Sequence, residues 1–241
     1  MIRTLVIGFC LALGMVLVLP WLIFWTVLTD NPALMYQAGM LAYRAASHMA
    51  GVQVRAEGRE HIPPGACVFA ANHASYLDPI VLFPVIPRRA AALVKKEIFR
   101  IPFLGVALRL AKFVPVDRAR RTASASSIEA GVRNLRDGLS LVAFPEGTRS
   151  PDGRLLPFKK ASFAMAIECG VPVVPVSLAG THHLMRRGSW SVHPGEVTIR
   201  FGAPVDASQY TLARRADLAA RVQSLVAAGL PPDQQPAPPD A

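Results

Sequence analysis

At 241 residues the chain is long enough for one domain with an appendage, and 52% hydrophobic against 17% charged residues is apolar for an enzyme that lives wholly in water. The net charge of +10 favours anionic partners, while 7% aromatics beside a long apolar N-terminus argue against nucleic acid. Three scattered cysteines (Cys10, Cys67 and Cys169) without CxxC or Cys/His ligand spacing argue against a disulfide framework and a structural zinc site, and fit a reducing compartment.

Thr4 to Leu28 carries no charge. As a helix it would be roughly 37 Å long at ~1.5 Å per residue, enough to cross a hydrocarbon core of about 30 Å with a kink at Pro20. A cleaved signal peptide would have a shorter apolar core and small residues at its end. This run ends in WLIFWTVL, with Trp21 and Trp25 suited to a membrane interface, and reads as a retained anchor. A second, less apolar helix follows over 32–52, so the two could form a hairpin in one leaflet. Residues 1–50 are expected to be a membrane-associating helical segment, 51–228 a globular domain and 229–241 a Pro-rich disordered tail.

Beyond the anchor, VQVRAEG (52–58) alternates as a strand and IPPG (62–65) is a turn. CVFAAN (67–72) is a buried-strand run, followed by a short helix from Pro79. AALVK (91–95) and KFVPV (112–116) read as strands, with helical pieces broken at Pro102 between them. Next come an amphipathic helix over 126–138, a strand over 139–144, a helix over 158–170 opened by Lys159 and Lys160, and a buried strand in VPVVPVSLAG. The adjacent His182–His183 reads as a loop feature, EVTIRFG (196–202) as a late strand and 211–228 as the last helix. Strands alternating with helices predict an α/β fold with a mixed, largely parallel sheet flanked by helices.

In such sheets chemistry gathers on loops at strand ends. The two most unusual loops, NHASYLDP (72–79) and FPEGTRS (144–150), each follow an apolar strand. On one helix, His73 and Asp78 would point about 140° apart. They meet only if His73 ends a strand and Asp78 starts a helix, where Asp78 could fix the imidazole tautomer and leave the other nitrogen as a general base. The plain alternative is an aspartate that caps a helix and a histidine bonded to backbone. In FPEGTRS, Gly147 permits a tight turn and Arg149 offers a planar fork for phosphate oxygens, while Glu146 either holds Arg149 or accepts from a substrate hydroxyl. Residues 87–121 hold ten Lys/Arg against Glu97 and Asp117. Within that window Arg118 lies nearest a strand end, and Lys95 and Lys96 lie at another. There is no GxSxG elbow, P-loop or GxGxxG.

Taken together and in order, NHASYLD, VPVDR, FPEGTRS and VPVVPVSL resemble the glycerolipid acyltransferase family over roughly residues 50–205, and within it the enzymes that acylate lysophosphatidate. The resemblance implies a glycerol-3-phosphate acyltransferase-like fold behind a membrane-associating segment. His73, oriented by Asp78, would deprotonate the free hydroxyl of lysophosphatidate for attack on an acyl thioester of CoA or acyl carrier protein, with no covalent acyl-enzyme. Arg118, Glu146, Gly147, Thr148 and Arg149 would bind the glycerol phosphate, Lys95 or Lys96 would supply a nearby cation, and Pro175 would serve the acyl side. No metal or resident cofactor is implied. Membrane lipids are the surrounding partner and the cytoplasmic side of a bacterial inner membrane the place. One departure is Ala161, where many relatives have glycine after FKK; it reads as a packing change.

Overall fold

A computed structural model describes residues 2–117 and 124–237. Among the described residues seven strands form one sheet: β1 (Val52–Glu57), β2 (Val68–Ala71), β3 (Ala90–Lys95), β4 (Val114–Val116), β5 (Ser140–Ala143), β6 (Val173–Ala179) and β7 (Gly195–Phe201), in the order β1-β7-β6-β2-β5-β3-β4. Neighbours run parallel except β6 and β7. The mixed, largely parallel α/β architecture expected from the sequence is therefore present.

The central strands are short and buried on both sides, which is why they read as continuous apolar runs. Alternate residues feed two cores. Phe69, Ala71, Val174 and Val176 pack with α4 (Leu77–Leu82) and with Tyr36, Met40 and Tyr43 of α3 (Ala33–Ala50). Val68, Ala70, Leu141 and Val173 pack with α6 (Ala125–Arg136), α7 (Ala161–Cys169) and α9 (Arg215–Ala228) on the other face. Gly131 lets α6 approach α7 closely, since a Cβ there would lie 2.5 Å from Met165 Sδ.

The N-terminal apolar run is two helices, α1 (Ile2–Leu17) and α2 (Leu19–Thr29), bent by 41°. Pro20 stands in the first turn of α2, where its missing N–H costs nothing, so the chain breaks just before it. Among the described residues no single helix is long and apolar enough to cross a membrane; the bent pair reaches that length by composition alone. Leu5, Phe9, Trp21, Phe24 and Trp25 on these helices are exposed. Helix α5 (Leu104–Leu110) follows Pro102 as expected, and α8 (Thr181–Leu184) is a short helix containing His182 and His183, not a loop. Helix α7 begins at Ala161, so Lys159 and Lys160 precede it. The tail expected to be disordered folds back as far as 237: Gln234 is buried and its carbonyl accepts from Leu155 N–H at 2.9 Å. Such main-chain pairing holds a polar, Pro-rich segment that composition alone would leave loose.

Candidate active site

Strands β2 and β5 are parallel neighbours, so the loops at their C-terminal ends leave the sheet at the same edge. That places NHASYLDP beside FPEGTRS. The main chain of His73 is bracketed by the second loop: its N–H donates to Glu146 Oε1 at 2.7 Å and its carbonyl accepts from Ser150 N–H at 2.8 Å. Asn72 anchors the other flank. Its amide donates to the Leu178 carbonyl at 3.0 Å and accepts the Leu178 N–H at 2.7 Å, joining the end of β2 to the end of β6.

From there the chain turns back on itself. Helix α4 starts at Leu77, two residues before the proline at which the sequence placed it, so Asp78 lies inside the first turn and is not the cap. Its Oδ2 reaches backwards, accepting from Ala74 N–H and Ser75 N–H at 2.8 Å each and meeting His73 Nδ1 at 2.7 Å. One carboxylate oxygen thus organises the turn and the imidazole together. Ser75 Oγ accepts from Leu77 N–H and donates to the Met185 carbonyl, which ties the loop to the segment after α8. His73 is 7% exposed and Asp78 0%. The Phe144 ring stacks on the imidazole with centroids 4.3 Å apart. With Nδ1 given to Asp78, no hydrogen bond from a described residue occupies Nε2. The five-residue spacing works because the strand end, the turn and the helix start bring the two side chains together.

Glu146 takes neither of its expected partners. At 4% exposure it faces inward, and its second oxygen accepts from Leu156 N–H at 3.2 Å. Burial pushes its carboxyl up to about 8, with the nearby Asp78 charge adding to the effect, while the His73 and Leu156 N–H groups pull the other way. It buckles three segments together at the histidine. Gly147 adopts φ +72°, a left-handed conformation suited to glycine, and a Cβ there would meet Lys159 Nζ at 2.7 Å. Thr148 is exposed at the loop tip. The central carbon of the Arg149 guanidinium lies over the Tyr76 ring, 3.5 Å from its centroid, with Nη1 buried and unpartnered.

The remaining expected residues sit farther out. Lys95 ends β3, two strands from β2, and Lys96 follows it; they pair with Glu97 at 3.7 Å and Asp117 at 2.6 Å. Lys96 lines a groove of about 490 Å³ with Phe99, Arg100, Arg109, Phe113 and Pro115. Pro175 is buried within β6 opposite Ala70, short of the strand end at which Leu178 holds Asn72. Arg118 lies outside the described residues. Among the described residues no cluster of three or more His, Cys, Asp or Glu is placed to hold a metal. The residues that sequence reasoning passed over are Asn72, Ser75, Tyr76 and Phe144, which lie inside or beside the quoted motifs, and Arg187 and Trp190, which do not. Membership of NHASYLDP or FPEGTRS was the only available signal for the first four.

A sequence model of the Acyltransferase family matches residues 53–179, which contain both loops and β6. The chain belongs to the acyltransferase family. This acyltransferase is 31% identical over 232 residues to the 1-acyl-sn-glycerol-3-phosphate acyltransferase of Limnanthes douglasii, covering 94% of this chain and 82% of that one. It is 32% identical over 160 residues to the enzyme of that name from Haemophilus influenzae, covering 66% of each. Its structure is similar to that of the 1-acyl-sn-glycerophosphate (LPA) acyltransferase PlsC from Thermotoga maritima, with a TM-score of 0.81, 30% identity, and coverage of 95% of this chain and 93% of that one. The acyltransferase is accordingly an O-acyltransferase of phospholipid biosynthesis.

Proposed function

We propose that this acyltransferase moves an acyl chain from an acyl thioester, of CoA or of acyl carrier protein, to the free hydroxyl of 1-acyl-glycerol-3-phosphate, giving phosphatidic acid. The observation that carries the reading is the His73–Asp78 contact, which leaves Nε2 without a hydrogen bond from a described residue, in a motif whose Tyr76 ring carries the Arg149 guanidinium. Nε2 takes the hydroxyl proton as that oxygen attacks the thioester carbonyl. The tetrahedral intermediate collapses by breaking the C–S bond, and the imidazolium returns its proton to the leaving sulfur. Asp78 keeps Nδ1 protonated throughout and stabilises the transient imidazolium. No acyl-enzyme forms, and the chemistry calls for no resident cofactor. Arg149, with Gly147 and Thr148 shaping its loop and Arg118 as a further cation, receives the phosphate, while Glu146 holds the His73 main chain in place. Lys95 and Lys96, paired with Glu97 and Asp117, stand farther along the same sheet edge as basic residues near the site, and Pro175 serves the acyl side. The exposed apolar sides of α1 and α2 support attachment to a membrane, which we place at the cytoplasmic face of a bacterial inner membrane, where acyl thioesters are available.

The test is thiol release by the purified full-length protein supplied with lysophosphatidate and acyl-CoA, and then with other lysolipids. We expect His73→Ala to lose about 10²–10⁴-fold in kcat, the range of a general base. Arg149→Ala should raise KM for lysophosphatidate. Absence of thiol release with lysophosphatidate would refute the substrate, and full activity of His73→Ala would refute the mechanism.

A further inference from the structure

The loop between α8 and β7 contains Arg186, Arg187 and Trp190, none of which belongs to the four motifs. The fold nevertheless draws it onto the site at three points. Ser75 Oγ donates to the Met185 carbonyl at 2.7 Å, Arg187 Nη1 donates to the Arg149 carbonyl at 3.0 Å, and Trp190 stacks on Tyr76 with centroids 6.2 Å apart. Tyr76 is the same ring that carries the Arg149 guanidinium, so Trp190, Tyr76 and Arg149 form one stack.

Two features of this stack point to a ligand. A cation–π contact uses none of the guanidinium's N–H groups, and Arg149 Nη1 is buried without a hydrogen-bond partner, a donor left for an anion that enters the site. Among the described residues, no carboxylate pairs with Arg149, Arg186 or Arg187, so the local positive charge is uncompensated. Trp190 is also 79% exposed, a large apolar surface left in water beside charged groups. Just beyond it, Val192 N–H donates to Thr4 Oγ1 at 3.0 Å, which fixes the start of α1 beside the loop. The exposed apolar side of α1, with Leu5 and Phe9, rises from that point. Two arginines joined through the Arg149 carbonyl, on a loop tied to the start of an apolar helix, suit a phosphate headgroup that carries one acyl chain.

We infer that Arg187 is a second phosphate-binding residue of the acceptor site, working beside the Tyr76–Trp190 stack that positions Arg149, and that it makes the site selective for a phosphomonoester over a phosphodiester lysolipid. The inference rests on the reading of this site as an acceptor of lysophosphatidate. A phosphomonoester carries about −1.5 to −2 at neutral pH and can engage two guanidinium forks. A phosphodiester carries one charge and has one fewer oxygen to offer.

The experiment is equilibrium binding of radiolabelled lysophosphatidate and of lysophosphatidylcholine to the full-length protein without thioester, alongside steady-state kinetics. Wild type, Arg187→Ala, Arg187→Lys and Trp190→Ala are compared. Loss of one charge-assisted contact should weaken lysophosphatidate binding about tenfold in Arg187→Ala. Binding of lysophosphatidylcholine and KM for acyl-CoA should not move, and KM for lysophosphatidate should rise more than kcat falls. Arg187→Lys should recover part of the affinity, and Trp190→Ala should weaken the same lipid through Arg149. Wild-type binding with an unaltered Arg187→Ala would overturn the inference, as would an equal loss for both lipids, which would mark a general surface effect. Failure of the wild type itself to bind or acylate lysophosphatidate would overturn the substrate reading, and the inference with it.

Discussion

Replacing Asp78 by Asn separates charge from geometry at the histidine. In most carboxylate–histidine pairs an Asn can flip, present its NH₂ to the imidazole and impose the wrong tautomer. Here the oxygen that meets His73 Nδ1 also accepts from Ala74 N–H and Ser75 N–H, at 2.8 Å each. A flipped Asn would aim its NH₂ at two backbone donors, so the carbonyl oxygen is held on the histidine side. The NH₂ falls where Oδ1 now lies, a buried position without a hydrogen-bond partner. Loop geometry and tautomer should therefore survive while the negative charge disappears. The low end of the loss is about 1 kcal/mol, the surplus of a charge-assisted bond over a neutral one. Its upper bound is about 6 kcal/mol, from Coulomb's law over the 2.7 Å contact with an effective dielectric of ~20. The amide dipole recovers much of the latter, so we predict a loss of about 2–3 kcal/mol in transition-state stabilisation, roughly 30- to 160-fold in kcat. The orphaned NH₂ costs about 1–2 kcal/mol of stability, offset in part by removal of a buried charge, so Tm should move by no more than about 5 °C. The assay is thiol release under saturating substrates, with thermal unfolding of the same preparations. A kcat as low as that of His73→Ala would show that the amide flips and would refute the orientation argument. An unchanged kcat would refute the role of the charge.

Two other substitutions probe the scaffold around the histidine. Asn72→Ala removes both hydrogen bonds to buried Leu178, and we expect a loss of about 3 kcal/mol, seen as a Tm lower by about 6–12 °C; a Tm within a degree of wild type would contradict the bracket. For Glu146, a carboxyl raised from 4.5 to about 8 is neutral in the fold at pH values where the unfolded chain is ionised. The stability it contributes is full below about 4.5 and is lost as pH rises through about 8. Tm measured from pH 5.5 to 9 should therefore fall more steeply for wild type than for Glu146→Gln, and parallel slopes would show that Glu146 does not titrate in this way.

Much of the catalytic edge was legible before the fold was known. The apolar runs that became β2, β5 and β6 are buried, so continuous hydrophobicity marked them, and the two motif loops sat directly after β2 and β5. The details that failed are those set by long-range contacts. The start of α4 at Leu77 follows from Asp78 reaching back to Ala74 and Ser75, which a proline two residues later concealed. Glu146 looked like a partner for Arg149 because the two are neighbours in sequence, but burial turns it toward the main chain of His73 and Leu156. Lys95 and Lys96 stand at the right edge of the sheet, yet β5 lies between their strand and that of His73.

The sequence alone determined the chemistry at hand: a histidine and an aspartate five residues apart, an arginine on a glycine turn, a basic domain and an apolar N-terminus. These are properties of residue type and order, and they do not need coordinates. Only the tertiary structure decided which groups act on which. Parallel pairing of β2 with β5 brings the two motif loops together across 73 residues of sequence, through the His73–Glu146 contact. The chain then carries Arg187 and Trp190 to the same place from a loop with no motif, because Ser75 and Thr4 hold both flanks of that loop by hydrogen bonds to backbone. Backbone groups are the same at every residue, so contacts of that kind leave no signature in the sequence.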